Sequence, residues 1–204
     1  MTNEQTVAAL YVDTARGPYA QIPNVDCWGF ASRDGRQCDL FARTRDARHY
    51  IGPHSVIAHP PRGPWGRFWW NYKGGEGAKE CGPIAVEQVR AFGGVLKHPS
   101  QSGLWKFCDL PMPGESDLYQ GTTIEVQQCD WGHKARKRTW LYVVGCDIPP
   151  LPKAATPTHV MVRLLRNGND WPEVPKAERH LTPIRFADWL IRLARGASAS
   201  NESR

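Results

Sequence analysis

No run of eighteen apolar residues occurs anywhere in the 204 residues, which excludes a bilayer-spanning helix of ordinary length. Cys-x-x-Cys is missing too. The six cysteines, at 27, 38, 81, 108, 129 and 146, show no paired spacing with one another or with the seven histidines, so no metal is expected, structural zinc included. The polar start, Met1 to Thr6, lacks the basic-then-apolar order of a secretory leader. A soluble protein of the cytoplasm, or of a host's cytoplasm if a phage encodes it, is the expectation, with no membrane partner and with reduced thiols acting as small apolar packing residues. No internal repeat is visible, and nothing in the chain fixes an oligomeric state.

Acidic charge is the scarcer sign: Asp and Glu number 20 against 26 Lys and Arg, giving a net charge of +6 and an isoelectric point near 9.1. A polyanionic partner fits that balance. The length suits one domain with a substantial core. Nine tryptophans serve either as core and loop packing or as stacking surfaces for bases.

Short apolar runs bounded by Gly, Pro or polar residues predict strands at Ala8 to Val12 (ending at Asp13), Val25 to Phe30, Ser55 to Ala58, and Gly94 to Leu96 (ending at Lys97, His98 and Pro99). Thr122 to Val126 and Thr139 to Val144 read as a hairpin, and Val160 to Leu165 as one more edge strand. Ala31 to Arg48 reads as an exposed connection or weak helix. Cys81, Ile84, Ala85, Val89 and Phe92 recur at helical spacing, with Gly93 and Gly94 to stop the helix. Thr182 as N-cap and Pro183 at the first helical position precede a stripe at Phe186, Trp189, Leu190, Leu193 and Ala194. The fold expected is a single α/β domain over residues 1–197, with a Pro-rich linker at 147–157 and a disordered tail at 198–204.

Two kinds of segment carry chemistry. HPPRGPWG, His59 to Gly66, follows the third strand; its paired prolines fix φ and supply no backbone donor, so a stiff loop leaves the sheet where a planar ring can be held. RTRDAR and GHKARKR are basic clusters beside Tyr50, Trp131 and Trp140, either a solvated face or contacts to phosphates. His59, His98 and His133 are expected to meet at one sheet edge, where acid-base work is open to them. His59 can also accept a hydrogen bond from a base amino group. Cys108 is a substitute nucleophile in principle, though nothing nearby in sequence activates it.

In order, VIAHPPRGPWG, GGVLKHP and DWGHKARKRTWLYVVG resemble segments of a reduced cytosine-C5 DNA methyltransferase of the kind carried by phages and prophages, over about 100 residues from Arg45 to Gly145. The resemblance implies a methyltransferase-like (Rossmann-like) sheet reduced at its donor-binding end, S-adenosylmethionine as donor and DNA as partner. Asp46, fourteen residues before Pro60, falls where an acid contacts the donor's adenine; Asp26 falls nearest the ribose position, and Asp13 ends the first strand beside them. Arg62 stands where the attacking cysteine belongs, and Lys97 stands where a glutamate holds the cytosine edge. Neither replaces its predecessor chemically, since Arg62 forms no thiolate and Lys97 offers donors where an acceptor is needed. The Gly-rich turn and helix after the first strand are missing.

The candidate chemical residues are thus His59, Arg62, Lys97 and His98, with Trp65, Arg67, Arg136, Lys137 and Arg138 toward nucleic acid. Three functions stand open: a base-directed protein of this lineage with altered or lost chemistry, a non-catalytic nucleic-acid-binding protein that masks sites, and a small enzyme acting on a nucleotide.

Overall fold

The structure is a computed structural model describing residues 5–30, 45–67, 69–75, 77–162 and 171–201. Six strands form one sheet: β1 (Val7–Leu10), β2 (Val25–Trp28), β3 (Val56–Ala58), β4 (Gly94–Pro99), β5 (Thr122–Gln127) and β6 (Arg138–Val144). Their order is β2-β1-β3-β4-β6-β5. The first four run parallel, and β6 enters antiparallel between β4 and β5. The helices are α1 (Cys81–Phe92), α2 (Gly103–Phe107) and α3 (Ile184–Asn201). The architecture is α/β with one mixed sheet.

Alternation along the strands sends side chains into two cores, as a sheet covered on both faces requires. Ala8, Leu10, Ala58, Leu96 and Tyr142 join α1 and α2 on one face. Val7, Ala9, Ile57, Val95 and Leu141 join Phe186, Leu190, Leu193 and Ala194 of α3 on the other. Pro83 lies in the first turn of α1, where its missing N–H costs no helical hydrogen bond. Gly94 has φ +121, and a Cβ there would stand 2.0 Å from the Val56 carbonyl oxygen, so only glycine lets β4 lie against β3.

Several boundaries differ from those the sequence implies. β1 stops at Leu10 because Tyr11 turns at φ 60, its hydroxyl donating to Gln88 Oε1 at 3.0 Å. β2 ends at Trp28 rather than Phe30. β4 runs on to Pro99 because β6 continues the ladder as far as Thr139. Of the edge strand expected at Val160 to Leu165, the described part is a single bridge from Val160 to Glu173; residues 163–170 lie outside the described residues. So do 31–44 of the exposed connection, whose end, Ala47–His49, is a 3-10 turn capped by Asp46.

The Pro-rich stretch 147–157 has no regular structure and is tied down by Trp189 Nε1 donating to the Pro150 carbonyl and the Ala155 N–H donating to Asp130. α3 continues to Asn201, past the point where disorder was expected, and residues 202–204 lie outside the described residues. Among the described residues no helix is long and apolar enough to cross a membrane.

Candidate functional site

From β1 the chain pairs β2 on one side, then crosses to place β3 on the other. The strand order therefore reverses between β1 and β3. In open α/β sheets such a point leaves a crevice outside the carboxyl ends of the strands. A cleft of about 620 Å³ lies there. Its walls come from the segment after β1, the Pro-Pro loop after β3, the end of β4, the connection between β5 and β6, and residues 180–182 just before α3.

The cleft gathers His59, Arg62, Lys97, His98 and Arg136, which span almost eighty residues of sequence, together with Lys137 and Arg138. Lys97 Nζ donates to Thr182 Oγ1 at 3.3 Å, and Lys137 Nζ donates to the Leu181 carbonyl at 2.7 Å. Burial lowers the proton affinity of Lys97 far below that of an ordinary lysine, with Lys137 and Arg62 adding repulsion. Lys137 falls from 10.5 to about 8, first through burial and then through Arg62.

His59 and His98 are held neutral. Burial, then the charges of Lys97 and Lys137, keep His59 well below its usual range. Its Nε2 shares a 2.8 Å hydrogen bond with the hydroxyl of Tyr19, which burial keeps protonated. His98 is 1% exposed, and apart from the Pro61 backbone neither ring nitrogen meets a hydrogen-bond partner among the described residues. Burial and then Lys97 push it to about 3, with a partial offset from the Pro61 backbone.

Other sequence-derived candidates fall elsewhere. Trp65 is not a stacking surface: it is buried against the start of α1, its ring pressed on Gly82 and tilted 5.0 Å from Phe107. Exposed indoles are instead found at Trp69 and Trp70, which are not among the sequence-derived candidates. Arg67 is exposed and outside the cleft lining. Arg138 reaches the cleft but is held in a fork by Glu125, at 2.7 and 2.9 Å, whereas Arg136 makes no ion pair among the described residues. His133 does not join the other histidines; its Nδ1 engages Ala135 within its own loop. Cys108 is a half-buried residue at the end of α2, and burial pushes its thiol up to about 11, so it is not an activated nucleophile.

The residues present do not fit S-adenosylmethionine. Asp26 sits within β2, held by Arg45 and by Trp28 Nε1, and Asp46 is clasped by Arg48 at 2.6 Å. Asp13 lines the cleft, but its Oδ1 accepts from the amides of Ala15 and Arg16. The surplus of cations also opposes entry of a sulfonium. The described residues contain no group of three His, Cys, Asp or Glu side chains placed to hold a metal ion. Comparison with protein-family models, with curated proteins and with solved structures returned no match.

Proposed function

We propose that the protein is a nucleic-acid-binding member of the cytosine-C5 methyltransferase lineage that no longer methylates the ring and engages a nucleotide of DNA at the cationic cleft. The carrying observation is that Arg62 and Lys97, standing where the resemblance puts a nucleophile and a carboxylate, face one cleft at the switch point. A methyltransferase-like sheet is consistent with the parallel strands closed by an antiparallel hairpin. Among the described residues only β2 lies beyond β1, which suits a sheet reduced at its donor-binding end.

The chemistry follows from what the side chains can hold. Guanidinium and ammonium groups bind phosphate oxygens and base acceptors, and none of them adds covalently to a pyrimidine. Such a protein covers DNA sites without altering them. Fluorescence anisotropy with short duplex and single-stranded DNA is expected to show binding that weakens steeply with salt. Mass spectrometry after incubation with methyl donor is expected to show no 5-methylcytosine above background. Absence of DNA binding at low ionic strength, or appearance of the methylated base, refutes the reading.

A further inference from the structure

We propose that Arg62, Lys97 and Lys137 form a subsite for a phosphate group, of the dianionic monoester kind found at a nucleotide terminus. This rests on the reading that the cleft takes a nucleotide, and it names the part of the nucleotide that is held there.

The three cations arrive from three different elements: the loop after β3, the end of β4 and the connection between β5 and β6. None of them makes an ion pair among the described residues. The one carboxylate lining the cleft among the described residues, Asp13, accepts hydrogen bonds from two backbone amides of its own turn. Like charges gathered in a partly desolvated wall repel one another, and an anion between them reverses the sign of each interaction.

Unspent donors point the same way. Among the described residues the Arg62 guanidinium makes no hydrogen bond, and Lys97 uses one long contact to a hydroxyl. A phosphate monoester supplies acceptor oxygens for all of them and carries more charge than a carboxylate or an internal phosphodiester. The other titratable and charged groups lining the cleft are Tyr11, Asp13, Arg16, Tyr19, His59, His98, Arg136, Arg138 and His180; His59 and His98 are neutral and Glu125 holds Arg138, so the field there is cationic. A bound dianion raises the proton affinity of Lys97 and Lys137, so binding takes up protons near pH 8 and weakens as the pH rises further.

The test is calorimetric titration of the full chain with inorganic phosphate, deoxycytidine 5′-monophosphate and deoxycytidine, in two buffers of different ionisation enthalpy. Both phosphates are expected to bind with net proton uptake, and the nucleoside at least about tenfold more weakly. Arg62→Ala, at an exposed position where folding is not at stake, and Lys97→Met should each weaken phosphate about tenfold or more. Phosphate binding unchanged by both variants, or without proton uptake, overturns the subsite. Displacement of bound phosphate by a duplex only when it carries a 5′-phosphate supports the monoester assignment, and equal displacement by both duplexes overturns it. DNA binding without phosphate binding defeats the subsite alone. Phosphate binding without DNA binding upholds the subsite and defeats the DNA reading.

Discussion

Lys137→Met should make the protein more stable at pH 7, although it removes a hydrogen bond. The fall of the Lys137 ammonium from 10.5 to about 8 corresponds to about 3 kcal/mol of folded-state cost below the lower value. Water still reaches part of the side chain, which reduces this to about 2 kcal/mol. Losing the 2.7 Å hydrogen bond to the Leu181 carbonyl returns about 1 kcal/mol. A net gain of about 1 kcal/mol remains, or about 2–4 °C in melting temperature for a chain of this size.

The sign with pH is fixed by linkage. A lysine whose folded-state proton affinity is depressed costs stability at neutral pH. Above about 8 it is neutral when folded while the unfolded chain still binds the proton, so stability rises with pH up to the ordinary lysine value. The advantage of Lys137→Met should therefore shrink between pH 7 and pH 10. Thermal unfolding followed by circular dichroism, in phosphate-free buffer at low salt, reads both effects. A variant that melts below the wild type at pH 7, or an advantage that grows with pH, refutes the picture of mutually repelling cations.

Arg136→Ala should lower the salt slope of DNA binding by about one, whereas Arg138→Ala should leave it nearly unchanged because Glu125 already holds that guanidinium; equal slopes in the two variants contradict this. Calorimetry with S-adenosylmethionine should give no saturable heat, and a saturable isotherm would show that the acids near β2 exchange their arginine partners for the donor. Gly94→Ala should cost more than about 4 kcal/mol in urea unfolding, since the new methyl meets the Val56 carbonyl at 2.0 Å with a backbone conformation that alanine resists. A mild effect there would mean that β3 and β4 separate easily.

The strands and both long helices were legible because their signals are local: short apolar runs, a 3.6-residue stripe, and Gly or Pro at the ends. The grouping of His59, Arg62, Lys97 and His98 was legible too, because parallel strands bring their carboxyl ends to one edge. What escaped depends on partners distant in sequence. Whether Arg136 or Arg138 is available turns on the hairpin register, which sets Arg138 opposite Gln127 with Glu125 within reach. Trp65 stands only four residues before Trp69 in the sequence, and the packing of the loop on Gly82 is what separates the buried indole from the exposed ones. The role of residues 180–182 as a cleft wall has no signature at all, since they hold Lys97 and Lys137 through a hydroxyl and a backbone carbonyl.

That wall has a consequence for the order in which a ribosome delivers the chain. All six strands have been synthesised by Val144, yet the face of the sheet that α3 covers remains bare until Ile184–Asn201 emerges. Thr182 and Leu181, the partners of the two lysines, sit immediately ahead of that helix, so they are fixed in place only when it docks. A nascent chain thus carries its basic residues well before it has a cleft to concentrate them. A chain halted before α3 holds the cations of the cleft without the wall that Leu181 and Thr182 supply.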